Sequence, residues 1–384
     1  MHPESDANRS TRSSGSSNQA RTGRTLNLEQ AIKPALKNLV LKSSGFPARL
    51  AMLARWRRNR GETESINAVM QVFLTPEQQK DSQYAKRMHR RIRRDMIRHL
   101  ITPDEYFLYG FEELSSRGKR MFVGDIERSF LCAKLYNNPS GQIFMDKADT
   151  YRHFARYYKR EVLAVREACD KEAFLSFAER HPSFIVKPNR ASRGDGIYKA
   201  SAHHAADAEA AFEKILENGD GVVEELIDQA PEMAAFHPES VNTVRYAKFI
   251  DNGKITTVAS FVKLGRAGSI VDNGGAGGLL AAIDPEIGII VSPGRTEFGE
   301  EYLIHPDSGV QILGAAIPEW DALKKLACEL ASVLPEQKYV GWDLAYSNDG
   351  WVLVEGNSGG QFVGPQITLK RGVRPIIKQT FGKM

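Results

Sequence analysis

The chain has 384 residues, of which 42% are hydrophobic and 26% are charged, and its formal net charge is +5. This composition is ordinary for a globular protein, and the absence of any run of 18 or more apolar residues excludes a membrane-spanning helix. Three scattered cysteines, Cys132, Cys169 and Cys328, lack the spacing of a metal site or a redox pair. With no secretory signal at the start, a cytoplasmic location is expected.

The amino-terminal part is predicted to be a disordered tail over 1–25, rich in Ser, Arg, Asn and Thr, followed by a helical region over 26–140. Near 84–100, seven Lys and Arg residues accompany an apolar stripe, which is the pattern of a basic amphipathic helix. Such a helix is typical of peripheral contact with an anionic membrane, or of a solvated helix that packs through its stripe. No groove-reading motif accompanies it, so no nucleic-acid partner is expected.

From residue 141 onward, alternating strand and helix patterns predict an α/β (α+β) domain over 141–384. Its first notable feature is a loop between two short predicted strands. The glycines Gly194 and Gly196 permit positive φ and expose backbone N–H groups that can wrap phosphate oxygens. Ser192 and Arg193 belong to the same loop, and Lys187 would place a positive charge over the phosphates. An ordinary turn is the alternative interpretation.

The next predicted strand is hydrophobic and ends in two acids. Its exit would present backbone groups to the edge of an adenine ring, while Glu232 would hold ribose hydroxyls. The alternative is a plain core strand with acids that face solvent. The residues at the exit are Glu224, Glu225, Leu226 and Ile227.

A third predicted strand alternates polar and apolar residues, so that Thr243 and Arg245 share a face. A guanidinium matches tetrahedral oxyanions in a bidentate way, and Arg245 is therefore a candidate for stabilising a transferring phosphoryl group. A surface salt bridge is the competing role. Lys263 precedes a glycine-rich segment that includes Asn273, and this segment either closes over a substrate or forms an inert turn.

Near the carboxyl end, two apolar runs flank an Asn-Asp-Gly turn, which predicts a β-hairpin. If the hairpin is centred on Asp349, Asp343 and Glu355 lie opposite each other, and Asn357 shares the face of Glu355. Two facing carboxylates repel unless a positive charge lies between them. Two acids and an amide oxygen form a hard-oxygen site, which predicts Mg²⁺ and a phosphate here. An exposed strand end that happens to carry acids is the alternative.

In this order, the segments resemble the ATP-grasp superfamily, and in detail its sugar-transfer-associated, hexapeptide-transferase-like group, over about residues 100–370. Each short match is common, and their ordered succession is the specific signal. The matching pieces are Asp146-Lys147, Phe184 to Pro188, Glu224 to Ile227, His237-Pro238 leading to Asn242 to Arg245, Val271 to Asn273, His305 to Asp307, Ile317 to Trp320, Gly341 to Asp343 and Glu355 to Asn357.

The resemblance implies an ATP-grasp fold, in which two α/β subdomains grip ATP and the lid subdomain spans about 170–228. Lys147 would join Lys187 at the α- and β-phosphates. The alternative is that Lys147 is simply the first residue of a helix whose N-cap is Asp146. One or two Mg²⁺ ions, or Mn²⁺, would be held at the hairpin acids. Catalytic roles would fall to Arg245 and Lys263. The substrate contacts would be His237, Asn242, Thr243 and Asn273.

The implied reaction is that of a carboxylate-amine ligase that uses small-molecule substrates and an acylphosphate intermediate, within surface polysaccharide or glycan biosynthesis. One alternative is a kinase that phosphorylates a hydroxyl. Another is a nucleotide-binding scaffold of a polysaccharide-assembly complex. The sequence departs from the group in two places: the loop has two arginines and an Asp where relatives have more glycine, and the helical front is not the usual substrate domain.

Overall fold

The amino-terminal part of the described chain is helical, as the sequence predicts. The computed structural model describes residues 61–135, 140–191 and 194–382; the predicted tail over 1–25 lies outside them. None of the helices in these ranges combines the length and apolar character needed to cross a bilayer. The first six helices are α1 (Gly61–Phe73), α2 (Pro76–Lys80), α3 (Ser82–His99), α4 (Pro103–Leu108), α5 (Ser116–Lys119) and α6 (Asp125–Leu135).

Helix α3 carries the basic amphipathic pattern. Its apolar stripe is buried, with Met88 and Ile92 each no more than 1% exposed, while its seven Lys and Arg side chains are exposed. Asp95 is also buried, and it pairs with Lys119 Nζ at 2.6 Å. The stripe therefore packs within the protein, which is the second of the two alternatives left open by the sequence. Contact with an anionic membrane through the exposed basic side chains stays a prediction.

A four-stranded antiparallel sheet follows two further helices, α7 (Ser140–Ile143) and α8 (Lys147–Tyr158). Its strand order is β1-β4-β2-β3. Helices α9 and α10 cover one face and bury a phenylalanine-rich core that includes Phe174, Phe184 and Phe212. The elements are β1 (Val162–Val165), α9 (Lys171–Arg180), β2 (Ser183–Pro188), β3 (Tyr198–Ser201), α10 (Ala205–Glu217) and β4 (Gly221–Glu225).

The remaining strands form a seven-stranded antiparallel sheet of order β11-β10-β5-β6-β7-β8-β9. On one face, helices α8 and α12 pack around Trp342 and Leu344. The elements are α11 (Pro231–Ala234), β5 (Thr243–Asp251), β6 (Lys254–Leu264), β7 (Leu279–Ala282), β8 (Gly294–Arg295), β9 (Glu301–Tyr302), α12 (Trp320–Val333), β10 (Tyr339–Ser347), β11 (Gly350–Asn357), α13 (Val363–Leu369) and α14 (Arg374–Phe381).

The hairpin of β10 and β11 pairs Asp343 with Glu355, as the sequence predicts, but for a different reason. The turn is a two-residue connection closed by Ser347 and Gly350, so a regular ladder would place Val354 opposite Asp343. A β-bulge between Asp343 and Leu344 leaves Val354 as the extra residue and restores the predicted pair.

The bulge also decides which face of the sheet the acidic side chain occupies. Trp351 and Leu353 belong to the core under α12, and strict alternation would send Glu355 and Asn357 to that same core. Beyond the bulge, both side chains instead line a cavity on the opposite face. A single surplus residue therefore turns the acidic end of β11 away from the core.

One glutamine connects the helical front to the carboxyl-terminal helices. Gln366 on α13 is completely buried. Its amide oxygen accepts from the Val123 backbone N–H at 2.9 Å and from the Val373 N–H at 3.2 Å. Its amide nitrogen donates to the Val123 carbonyl and to the Tyr109 hydroxyl, both at 2.9 Å. These bonds fix residues 109–123 against the end of the chain.

Candidate active site

A cavity of 820 Å³ opens between the two sheets, and most of the predicted site residues line it. Strands β2 and β4 contribute from the smaller sheet, and β5, β6, β10 and β11 contribute from the larger one. The predicted residues that line it are Lys147, Lys187, Gly194, Glu224, Glu225, Leu226, Ile227, Thr243, Arg245, Lys263, Asn273, Asp343, Glu355 and Asn357.

The first cluster in the cavity is centred on Glu224, which is 3% exposed. Lys187 Nζ lies 2.7 Å from Glu224 Oε1, and Arg160 Nε donates to Oε2 at 3.0 Å. Burial alone would raise the pKa of Glu224, but the two cations outweigh burial and lower the pKa to about 2. The cluster therefore carries two positive charges against one negative charge and has a net positive charge.

Lys147 begins a helix, which is one of the two roles that the sequence left open, and its phosphate contact stays a prediction. It is the first residue of α8, whose N-cap Asp146 accepts the Asp149 backbone N–H at 3.0 Å. Its Nζ also reaches the β2–β3 loop, where it donates to the carbonyls of Pro188 at 3.0 Å and Ala191 at 2.6 Å. Burial lowers the pKa of Lys147 below its ordinary value.

The loop itself has the backbone conformation that the sequence predicts. Gly194 and Gly196 have φ of 75° and 70°, in the region where glycine has no steric penalty. Gly194 lines the cavity and Gly196 does not. Ser192 and Arg193 lie outside the described residues, so their predicted phosphate contacts stay predictions.

The second cluster is a buried network on the larger sheet. Arg245 and Asp343 are opposite each other on β5 and β10, and Arg245 Nη2 donates to Asp343 Oδ2 at 2.7 Å while its Nε bonds Oδ1. Lys263 Nζ lies 3.2 Å from both Asp343 Oδ2 and Asp272 Oδ1. Burial would raise the pKa of Asp343, but Arg245 and Lys263 outweigh it and hold the pKa below its usual value.

A glycine makes room for this network. A Cβ on Gly341 would lie 2.9 Å from Arg245 Cδ, closer than side-chain carbons pack, so Arg245 can extend along β10 to Asp343 only because residue 341 has no side chain. The positive charge that the facing carboxylates require is therefore supplied first by the protein's own arginine and lysine.

Glu355 is in a different situation from Asp343. It is half-buried, and within the described ranges it has no ion-pair partner closer than 4 Å, although its charge acts on Lys147, Arg245 and Lys263. Asn357 Nδ2 lies 3.4 Å from Asp343 Oδ2. Glu355 and the Asn357 amide oxygen are thus open hard-oxygen donors beside Asp343, and this donor set fits Mg²⁺.

Beyond β4, the chain leaves the sheet along the cavity wall. The β4 ladder ends at Glu225, whose carboxylate accepts the Glu161 backbone N–H at 3.0 Å. Leu226 is 37% exposed, and Leu226 and Ile227 line the cavity just past the ladder. This is where the sequence predicts an adenine slot.

Besides Gly196, three predicted contacts among the described residues are not brought to the cavity. Glu232 is exposed on α11 and does not line it, because Pro231 starts a helical turn there; Glu239 lines it instead. His237 and Asn242 are buried and hold the preceding loop. His237 Nδ1 lies 3.0 Å from Ser240 Oγ, and Asn242 Nδ2 donates to the His237 carbonyl at 2.9 Å. Substrate roles for these two side chains do not agree with their burial.

Thr243 and Asn273 line the cavity, but the side-chain oxygens of both already have partners. The Thr243 backbone N–H donates to Asp272 Oδ2 at 3.0 Å, and its hydroxyl bonds the same oxygen. Asn273 Oδ1 accepts the Gly275 N–H at 3.1 Å and caps the 3₁₀ turn Gly274–Ala276. The glycine-rich segment is thus ordered by its own side chain.

Arg160, Asp272 and Glu239 line the cavity but are not singled out as site residues by the sequence. Arg160 stands in a connection without any motif, and only the fold brings it to Glu224. Asp272 had a usable signal, because it directly precedes Asn273 in the glycine-rich segment.

Comparison with known proteins matches residues 162–381 to the family model described as sugar-transfer associated ATP-grasp. No curated protein matches the sequence. Among solved structures, similarity extends to D-alanyl-alanine synthetase A from Vibrio cholerae at 12% identity, covering 61% of this chain and 63% of that one, with a TM-score of 0.40. N5-carboxyaminoimidazole synthetase from Staphylococcus aureus is 14% identical, with coverages of 69% and 59% and a TM-score of 0.41.

L-amino acid ligase from Bacillus licheniformis is 12% identical, with coverages of 65% and 51% and a TM-score of 0.39. The chain thus spans between half and two thirds of the length of these three proteins.

Proposed function

The chain belongs to the sugar-transfer-associated ATP-grasp family, and from this membership we propose that it is an ATP- and Mg²⁺-dependent ligase that joins a carboxylate to an amine. One observation carries the proposal. The same cavity holds a cluster with surplus positive charge around Lys187 and also the carboxylate of Glu355, which has no ion-pair partner within 4 Å among the described residues. A nucleotide polyphosphate with its metal ion complements both.

The nucleotide is proposed to lie along the smaller sheet. Its phosphates would contact Lys147 and Lys187 under the glycine loop, and its base would lie against Leu226 and Ile227. The net positive charge of the cluster of Lys187, Arg160 and Glu224 supports this placement, because polyphosphate binding requires uncompensated cations. To contact the phosphates, Lys147 would give up the hydrogen bonds that its Nζ donates to two loop carbonyls in this structure.

The metal is proposed to be held by Asp343, Glu355 and Asn357. When bound, Mg²⁺ would neutralise charge on the phosphates. The open oxygens of Glu355 and Asn357 support this assignment. Asp343 would share its carboxylate between the ion and its present partners Arg245 and Lys263, which keep it ionised.

In the proposed reaction, the γ-phosphoryl group of ATP passes to a substrate carboxylate, and ADP leaves. The amine then attacks the acylphosphate carbon, forming the C–N bond and releasing phosphate. Arg245 and Lys263 would position the carboxylate and stabilise the developing charge, so that electrostatics and orientation supply most of the catalysis. No protein nucleophile is required. Surface glycan assembly in the cytoplasm is the proposed setting, with small molecules as both substrates.

The proposal is tested with purified protein, ATP, Mg²⁺ and pooled carboxylates and amines. Phosphate release that depends on an acid, and formation of a hydroxamate when hydroxylamine replaces the amine, are the expected results. The Glu355→Gln variant is the matched negative control. Phosphate that stays on the product would instead identify a kinase, and ATP binding with no turnover on any pool would favour a scaffold.

A further inference from the structure

A second cavity, of 540 Å³, lies on the opposite face of the seven-stranded sheet. Along β5, Arg245 lines the first cavity, whereas Tyr246 and Lys248 line the second. Cys328 on α12 and Thr380 on α14 form part of its wall. The two cavities share no lining residue, so the second one is separate from the proposed ligase site.

Lys248 is the central feature of this cavity. Lys248 is only 4% exposed. Its Nζ donates a hydrogen bond to Cys328 Sγ at 3.1 Å and lies 5.0 Å from the centre of the Tyr246 ring. In the described part of the chain, no carboxylate lies within ion-pair distance of Lys248. A buried ammonium group without a counter-ion is costly, and a thiol and a ring face compensate that cost only in part.

The rest of the wall adds positive charge and hydroxyl groups. Lys254 and Lys324 also line the cavity, together with Thr256 and Thr257, and Lys324 is paired with Asp321 at 2.8 Å. Of its two acids, Asp251 is already paired with Lys338 at 3.0 Å, and Glu286 is exposed. Ammonium and hydroxyl groups that converge on one space are the donors that oxyanions require.

We propose that this cavity binds a small oxyanion, a phosphate or a carboxylate, with Lys248 as its counter-charge and the threonine hydroxyls as further donors. The bound anion completes the ion pair that Lys248 lacks. The cavity volume exceeds that of a bare inorganic ion, so a small metabolite that carries such a group also fits.

Cys328 is a built-in reporter for this event. It is a free, exposed thiol whose sulfur is in contact with the ammonium group of Lys248. An anion that engages Lys248 would lie beside the sulfur and restrict access to it, which slows alkylation. Cys169 is also free and exposed, lines neither cavity, and provides an internal reference.

The experiment measures alkylation of the full chain by iodoacetamide, resolved by peptide mass spectrometry. Phosphate and succinate are titrated separately at constant ionic strength, balanced with sodium chloride. At saturation, the rate at Cys328 is expected to fall about fivefold or more, while the rate at Cys169 stays constant. If only one of the two anions protects Cys328, that anion identifies the class of oxyanion that the cavity binds. Equal slowing at both cysteines, or no slowing by either anion, would overturn the proposal.

Two substitutions locate the anion. Lys248→Met keeps the length of the side chain and removes its charge, and it is expected to abolish the protection, whereas Lys248→Arg is expected to retain it. Lys187→Met removes a lysine from the first cavity and is expected to leave the protection unchanged. Protection that survives Lys248→Met, or that disappears in Lys187→Met, would show that the anion acts elsewhere. No step depends on turnover, so the outcome is independent of the ligase proposal.

Discussion

Asp343 and Glu355 face each other across one hairpin, yet their surroundings differ. Asp343 is buried and held by Arg245 and Lys263. Glu355 is half-buried and, among the described residues, has no ion-pair partner within 4 Å. The two carboxylates therefore differ in what their removal does to the protein: loss of Asp343 leaves cations buried without a partner, and loss of Glu355 does not.

Glu355→Gln is expected to lower ATP turnover by about 100-fold or more. Mutation of a residue that only supports a metal ligand already lowers metal affinity or activity by about 10–100-fold. Its free energy of unfolding should change by less than about 1 kcal/mol. Asp343→Asn should lose turnover and also about 3–5 kcal/mol of stability, because Arg245 loses a buried partner. Phosphate release and denaturant unfolding measure the two quantities.

The exposed turn residue Asp349 offers a matched control for these variants. Asp349→Asn should leave both turnover and stability unchanged. If Asp343→Asn proved as stable as the parent protein, the buried ion pair would not have the importance assigned to it.

Glu224 makes the stability of the smaller sheet depend on pH. Its pKa of about 2 in the folded protein lies below its ordinary value of 4.5, so its ion pairs stabilise the fold fully above pH 4.5 and progressively less as the pH falls toward 2. Glu224→Gln has no such titration. The difference in unfolding free energy between parent and variant should therefore shrink as the pH is lowered from 6 to 3.

Denaturant unfolding at a series of pH values measures that difference. Glu213→Gln, which alters an exposed acid on α10, serves as the control and should give a small difference at every pH. A gap between the parent protein and Glu224→Gln that stays constant over the whole range would contradict the assignment.

At the scale of elements, the hairpin of β10 and β11 was predictable and its bulge was not. The apolar runs and the Asn-Asp-Gly turn mark the hairpin in the sequence. Val354 has no local signature of a bulge, because a β-branched residue fits a regular strand equally well. The pairing of Asp343 with Glu355 was thus predicted correctly, while the face that Glu355 occupies depends on packing that the sequence pattern does not contain.

Gly356 shows the consequence of the bulge for packing. It lies between two cavity-lining residues and faces the core, where an added Cβ would lie 2.6 Å from Phe144 Cε1 and 2.9 Å from Trp342 Cζ3. Gly356→Ala is therefore expected to lower the free energy of unfolding by about 1–3 kcal/mol through overpacking. Thermal or denaturant unfolding measures this loss.

Gly118→Ala is the matched control, because its Cβ would meet no atom closer than 3.4 Å and alanine favours a helix. It should be neutral or slightly stabilising. An unchanged free energy of unfolding in Gly356→Ala would mean that the rings of Phe144 and Trp342 can shift to accommodate the added methyl group.

For the whole molecule, the order of motifs along the chain indicated the family. That order did not indicate which side chains from other strands would contact the predicted site residues. Lys187 and Asp343 were predicted to meet phosphate and metal directly, whereas both are also held by protein charges, Glu224 for Lys187 and Arg245 for Asp343. Such partners come from strands distant in sequence, and single-strand patterns carry no information about them.

The junction between the helical front and the carboxyl-terminal helices rests on Gln366. Gln366→Met keeps the shape and removes four hydrogen bonds, which leaves the Val123 backbone groups and the Val373 N–H without these partners in a buried place, while the Tyr109 hydroxyl keeps its bond to Glu105. The expected loss is about 3 kcal/mol of unfolding free energy, together with faster proteolysis within residues 61–135. Gln379→Met, at an exposed glutamine on α14, is the control and should change neither. Equal behaviour of the two variants would contradict this role for Gln366.

The extra residue of the β10–β11 hairpin also has a consequence for adaptation. Val354 is half-buried, lines the first cavity beside Glu355 and has no opposite residue in the ladder. Its side chain can therefore change in bulk without altering the register of either strand. A substitution at this position can therefore widen or narrow the space next to Glu355 while the charged groups of the cavity stay in place.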